Sequence, residues 1–268
     1  MEQMIIGMFA ETQVHVGAGE SSGFVDLPVA RESTTSYPVI PGSGLKGAFK
    51  EKAEKNGGLD VKALFGEQEN AGSMVFSDAR LLLLPVRSLT GHYKWTTCPY
   101  LLERLERDIS RSKIPNIQTE PIDKVGKGEV LTQGSEKLYL EEREFKIKGQ
   151  VPDSVIQLVG MFIPNAKSRG RLADQIAILS NDDFKWFAQY GLQVNARNQL
   201  TDKKTSGNLW YEETLPIDSV FYMLIFKRSK EGDISKFAET LRDDPYIQIG
   251  GNETVGQGWF NIVAIVGE

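Results

Sequence analysis

Two glycine-rich stretches and a few ionisable side chains hold the chemical potential of this chain. Pro41-Gly42-Ser43-Gly44-Leu45-Lys46-Gly47-Ala48-Phe49-Lys50 runs a Pro/Gly loop into a helical apolar pattern, with Leu45, Ala48, Phe49 and Ala53 on one face. Ser43 is placed to cap that helix, because its hydroxyl can accept from a free N–H in the first turn. Lys46 then falls in the first turn, where the helix dipole is positive and disfavours a cation. An anion at the glycine-lined helix start resolves that conflict, and phosphate is the usual one. A solvated lysine on an ordinary helix accounts for it equally well. The second stretch, Gly250-Gly251-Asn252-Glu253-Thr254-Val255-Gly256-Gln257-Gly258, either brings backbone N–H groups close to a phosphate or turns the chain between helix and strand.

His15 precedes Gly17-Ala18-Gly19. As an imidazole that can give or take a proton it suits acid–base work, or it bonds the glycine turn as a strand-end histidine. Asp26 lies beside Gly23, Phe24 and Pro28, the composition of an exposed loop. By residue type alone it reads as a solvated loop carboxylate. Cys98 is the one cysteine, and His15 and His92 are the only histidines. That excludes intrachain disulfides and a Cys/His metal site, and it favours a cytoplasmic setting. A metal here is a hard cation held by carboxylates and water.

The elements that position these groups follow from periodicity. Residues 4–16 alternate as a strand, with Ile6, Met8, Ala10, Val14 and Val16 on one face. A helix over 43–55 stops before Asn56-Gly57-Gly58, and a strand follows from Ser73 to Leu84. Near the other end, the apolar run Val220 to Phe226 reads as a buried strand. Ile234, Phe237, Ala238 and Leu241 mark an amphipathic helix, and Trp259 to Val266 a last strand. Two strand–helix–strand halves give an α+β chain with a ferredoxin-like core. The halves cover 1–85 and 217–268. Between them, 86–190 reads as an insertion: a charged helix over 101–112, a loop over 113–135, a charged strand from Leu138 to Ile147 and a short aromatic helix over 182–190. Residues 191–216 read as a hairpin.

The chain has 268 residues, and its 31 Lys+Arg against 36 Asp+Glu give a net charge of −5. An acidic balance argues against nucleic acid unless the cations are gathered in one groove. No apolar run reaches the roughly 18 residues that span a membrane, and the N-terminal MEQMIIGMFAE has no basic region of the kind a signal peptide carries.

Seven segments align in order with one family: His15 to Gly19, Asp26-Leu27-Pro28-Val29-Ala30-Arg31-Glu32, Pro41 to Lys50, Phe76 to Leu82, Pro85-Val86-Arg87-Ser88, Leu209-Trp210-Tyr211-Glu212-Glu213 and the glycine loop 250–258. The chain resembles the RAMP superfamily over nearly its whole length, and within it most closely the fourth subunits of Cmr complexes. Those subunits form the repeated backbone of type III-B CRISPR effectors. The resemblance implies a RAMP core whose 191–216 hairpin is a thumb wedged into a guide–target duplex. It also implies protomers stacked head to tail on a CRISPR guide RNA, contacts with other Cmr subunits, and cleavage of complementary single-stranded target RNA at regular intervals. No membrane partner is implied. The equivalent subunit of type III-A complexes and a purely architectural RNA-binding RAMP protein are the alternatives; a processing ribonuclease acting alone is a more distant one.

The same resemblance assigns site residues. Asp26 matches the family's catalytic aspartate and depends on Mg²⁺ or another divalent cation, bound directly or through water. His15 and Glu213 are further catalytic candidates; Tyr211 and Glu212 lie beside Glu213 at the thumb base, and packing is the default explanation of all three. The RNA-binding candidates are Arg31, Ser43, Lys46, Lys50, Gly250, Gly251, Gly256 and Gly258. RNA carries its own nucleophile, the 2′-OH beside the scissile phosphate, so such an enzyme mainly aligns that oxygen and offsets developing charge.

Overall fold

The computed structural model describes residues 3–111, 122, 124–134, 136–229 and 231–267. Strand β1 (Gln3–Ala10) is followed by β2 (Val39–Ile40), α1 (Gly42–Asn56), α2 (Val61–Phe65), β3 (Met74–Phe76), β4 (Ala79–Arg87) and β5 (Tyr93–Thr97). Next come α3 (Pro99–Ser110), β6 (Glu129–Thr132), β7 (Lys137–Leu140), β8 (Arg143–Gly149), α4 (Asp153–Gly160), α5 (Ala166–Gly170), α6 (Leu172–Gln175), β9 (Ile176–Leu179) and α7 (Asn181–Tyr190). Strands β10 (Gln193–Leu200) and β11 (Ser206–Thr214) form a separate two-stranded sheet, and β12 (Val220–Lys227), α8 (Ile234–Asp243), β13 (Tyr246–Gln248) and β14 (Trp259–Val266) follow.

One large sheet organises the fold, in the order β13-β14-β1-β12-β4-β5-β9-β6-β8-β7, with β2 beside β4 and β3 beside β12. Strand β1 lies between β12 and β14 and is antiparallel to both, and all eight of its residues are buried. Its alternation therefore separates two apolar layers instead of core from solvent. Met4, Ile6 and Met8 pack with Leu45 and Phe49 of α1 and with Phe237 and Leu241 of α8. Ile5 and Phe9 pack on the other face with Trp95, Leu102 and Leu105 of α3, and Leu158 of α4.

Several elements depart from the sequence expectations. The strand over 4–16 ends at Ala10. Residues 11–16 leave the ladder and keep only an isolated bridge between Val14 and Leu215, because the chain must turn there toward the loop that carries Asp26. The strand over 73–84 is interrupted at Ser77-Asp78, where both side chains do other work. Ser77 Oγ accepts from Leu224 N at 2.9 Å, and Asp78 Oδ1 accepts from Gly42 N at 2.7 Å. Asp78 thus satisfies the start of α1 and places a carboxylate at the positive end of its dipole. Pro41, not Ser43, is the N-cap residue, and no side chain of its own caps the helix. The charged strand over 138–147 is a hairpin, β7–β8, turned at Glu141 with φ 49°. Of the loop over 113–135, residues 113–121, 123 and 135 lie outside the described residues, and Glu129–Thr132 within it form β6. The sheet runs unbroken from β4 through β5 and β9 into the middle of the chain. Short apolar strands such as Ile176–Leu179, four residues and fully buried, carry no periodicity that sequence can read.

Candidate nucleic-acid interface

Three irregular segments meet where β1 ends. The 11–17 segment, the glycine loop between β13 and β14, and the base of the β10–β11 hairpin are tied by backbone hydrogen bonds. Gly258 N donates to Gln13 O at 2.9 Å, Gly251 N donates to His15 O at 2.9 Å, and Leu215 N donates to Val14 O at 2.8 Å. Gly250 has φ 93°, and a Cβ there would sit 2.4 Å from His15 O. Gly258 has φ 83°, and its Cβ would sit 2.3 Å from Ile249 O. Only glycine fits either position. The N–H groups of Gly251, Gly256 and Gly258 are all donated to carbonyls of this chain. The loop therefore presents no open row of N–H groups at these glycines; it fastens β13–β14 to the 11–17 segment.

His15 is buried, and its Nδ1 lies 2.8 Å from Glu213 O. Ring and backbone together clamp the hairpin base to the glycine loop. This geometry favours the packing reading of His15 over acid–base work.

Glu213 is buried with both carboxylate oxygens engaged. Oε2 accepts from Val29 N at 3.0 Å, and Oε1 from Arg31 Nη2 at 2.8 Å. Arg31 spends its other donors on Ser36 O at 2.9 Å and Ala188 O at 2.6 Å. The pair, with side chains 20% and 9% exposed, is an internal brace. It fixes the 26–31 segment against β11, an arrangement that explains both residues without RNA.

Asp26 is different. Leu27 N donates to Tyr211 O at 3.0 Å and Glu213 N donates to Leu27 O at 3.0 Å, so the loop lies along β11 like an extra strand. Asp26 Oδ2 accepts from Tyr211 N at 2.7 Å. No donor among the described residues bonds Oδ1. The carboxylate is partly exposed on a cleft of about 430 Å³, lined on one side by Glu20, Ser21 and Leu27 and on the other by Gln199, Asn208, Leu209 and Trp210 of the hairpin. Phe24 stands fully exposed nearby in sequence. Among the described residues no three His, Cys, Asp or Glu side chains gather as a metal cage. One carboxylate with a free oxygen fits a Mg²⁺ completed by water and substrate phosphate, and does not fit a protein-only site.

The α1 candidates form a separate group, with no hydrogen bond or ion pair to the Asp26 cluster among the described residues. Ser43 is exposed, and Lys46 is half-buried on a cleft of about 300 Å³ shared with Gly72, Val75 and Arg228. Lys46 has no side-chain partner among the described residues. Lys50 Nζ reaches only Gly66 O at 3.5 Å.

Sequence reasoning placed Glu212 at the hairpin base, and the structure shows that it joins the hairpin to the glycine loop. Glu212 is buried, and its Oε1 accepts from Asn252 Nδ2 at 2.7 Å and from Arg197 Nη2 at 3.2 Å. Asn252 holds a left-handed conformation, φ 63°, at the tip of the glycine loop. The signal was present in the adjacent pair Glu212-Glu213. In a strand, neighbouring side chains face opposite ways, so two buried acids in a row require two separate sets of partners.

The RAMP superfamily model matches residues 10–261. With a match of that length, the chain belongs to the RAMP superfamily. Within it, two relatives matched over nearly the whole chain are Cmr4 proteins. The chain is 34% identical to "CRISPR system Cmr endoribonuclease Cmr4" of Pyrococcus furiosus, over 98% of this chain and 95% of that protein. It is 27% identical to "CRISPR system CMR subunit Cmr4" of Saccharolobus solfataricus, over 94% of each. Among solved structures, oligomeric Cmr4 from Pyrococcus furiosus superposes with a TM-score of 0.79 at 28% identity, covering 99% of this chain and 98% of that one. No helix among the described residues is long and apolar enough to cross a membrane.

Proposed function

We propose that this chain is a guide-RNA-binding backbone subunit of a type III-B CRISPR interference complex, and that within the assembled complex it cleaves complementary target RNA at regular intervals. The name and full-length match of the Pyrococcus furiosus relative support that reading over a type III-A role. The Pyrococcus furiosus Cmr4 structure on which the chain superposes is oligomeric, which supports stacking of copies along a guide. The antiparallel order β14-β1-β12-β4, with α1 and α8 in the connections, supports a ferredoxin-like core, and the isolated β10–β11 hairpin is the thumb.

The observation that carries the nuclease reading is the setting of Asp26. One oxygen is fixed by the hairpin's own backbone and the other opens on a cleft that the hairpin walls. A target strand held against the hairpin therefore passes the free oxygen. The reaction is attack of a 2′-oxygen on its neighbouring phosphorus with loss of the 5′-oxygen. It leaves a 2′,3′-cyclic phosphate and a 5′-hydroxyl. The hairpin supplies in-line geometry by turning one nucleotide out of the duplex. Asp26 Oδ1 either takes the 2′-OH proton or holds a hydrated cation. A divalent ion, Mg²⁺ being the natural fit for one carboxylate, would supply charge stabilisation at the phosphate.

The test is reconstitution of the complex with guide RNA and a labelled complementary target. Asp26→Ala abolishes the ladder of regularly spaced cuts while the complex still assembles. A variant complex that cuts normally leaves an architectural subunit instead.

A further inference from the structure

A cleft of about 710 Å³ opens between the 31–35 loop, the start of β4 and helix α3. Its lining holds five arginines, Arg31, Arg80, Arg104, Arg107 and Arg111, against three carboxylates. Each carboxylate is already committed. Glu32 accepts from Arg104 Nη1 and from Thr35 Oγ1, both at 2.6 Å. Asp78 caps α1 through Gly42 N. Asp108 takes Arg80 and the Tyr222 hydroxyl, the latter at 2.8 Å. Arg31 is held by Glu213. Positive charge is left over at the mouth: Arg107 and Arg111 are exposed, one helical turn apart, with no side-chain partner among the described residues.

The wall of the cleft carries a second, independent observation. Arg104 is 8% exposed and stacks over the Tyr100 ring at 5.5 Å. Its Nε and Nη2 are shielded from water and have no hydrogen-bond partner among the described residues. These two nitrogens form the side-on edge of the guanidinium, the edge that grips an oxyanion with two parallel bonds. Leaving that edge unmet is costly, so native structures rarely do it without a ligand or water to complete it.

We propose that this cleft is a phosphate site, with Arg107 and Arg111 gathering the group at the mouth and Arg104 completing its coordination from the wall. In a chain of net charge −5 it is a local concentration of cations of the kind that phosphate recognition requires. The phosphate belongs either to an internucleotide diester of an RNA strand or to a free phosphate. The site itself stands without the nuclease reading; only its RNA source rests on the proposal that the chain binds RNA.

The experiment uses the full chain, an Arg107→Ala/Arg111→Ala variant, and a Lys185→Ala/Lys236→Ala variant that removes two exposed lysines outside the cleft. One arm titrates inorganic phosphate and follows the thermal midpoint. Phosphate raises it in the parent, by linkage, and less in the arginine variant. The other arm measures binding of a short oligouridine without terminal phosphates across salt concentrations. If the source is a diester, the slope of log K on log salt is shallower in the arginine variant by about 0.7–1.4, one to two phosphate contacts on a single strand. A phosphate effect with an unchanged RNA slope assigns the site to a free anion. If neither arm distinguishes the arginine variant from the parent, or if the lysine variant loses as much, the site is overturned. The arginines are on the surface, so folding of the variant is not at stake.

Discussion

The Asp26 carboxylate accepts a hydrogen bond from the Tyr211 backbone N–H at 2.7 Å. That bond fastens the candidate catalytic group to the hairpin that walls its cleft. Movement of the hairpin moves Asp26 with it, so the carboxylate and the hairpin keep a fixed relation. A backbone donor also cannot be removed by substituting Tyr211, so the link survives variation of that side chain.

The brace behind this pair sets the first prediction. Glu213→Ala strands Arg31 and frees Val29 N, with both partners only slightly exposed. Breaking a fully buried pair costs about 3–5 kcal/mol; the exposure of Arg31 reduces that to roughly 2–3 kcal/mol. Urea denaturation reads this as a lower midpoint at unchanged m-value. Arg31→Ala/Glu213→Ala recovers part of the loss. If Glu213 instead touches substrate, Glu213→Gln lowers cleavage without lowering the midpoint.

Gly250 and Gly47 should respond oppositely to alanine. Gly250→Ala places a methyl 2.4 Å from His15 O at φ 93°, which costs at least about 2 kcal/mol from left-handed strain and overlap together. Gly47 lies inside α1 with open space around it, so Gly47→Ala stabilises by roughly 0.5–1 kcal/mol. Thermal unfolding of the two variants gives midpoints on either side of the parent.

Asp78 and Lys46 separate structure from binding at one helix end. Asp78→Ala removes the acceptor for Gly42 N and costs about 1 kcal/mol of stability. Lys46→Ala leaves the unfolding midpoint unchanged, because no side-chain partner among the described residues is lost. It weakens guide binding and makes the salt slope shallower by about 0.7. An unchanged slope removes Lys46 from the phosphate contacts.

Which features sequence could read follows from how locally each is determined. Helix α8 shows its apolar spacing at Ile234, Phe237, Ala238 and Leu241, and it forms there. The hairpin read over 191–216 forms as β10–β11, and the last strand forms from Trp259 to Val266 as read. The pattern carries strand β1 too far because His15 and Val16 continue the alternation. What ends it is the distant demand of Gly251 N and Leu215 N for the 14–15 carbonyls. The role of Asp78 as the cap of α1 appears only once the two segments meet. Asp26 enters the candidate site through family likeness alone; its residue type and neighbours read only as a solvated loop carboxylate. The fates of Arg31, Glu213 and Glu212 were not legible, because ion pairs across some 180 residues, such as Arg31 to Glu213, leave no mark on local spacing.

The most direct measurement compares Asp26→Asn with the parent in the reconstituted complex, cutting a complementary target in saturating Mg²⁺. Asparagine keeps an oxygen for Tyr211 N and loses only the charge, so assembly and guide content stay as in the parent. The cut rate at every interval falls by at least about 100-fold. Parent-like cutting by a complex whose every copy carries the asparagine would contradict the account.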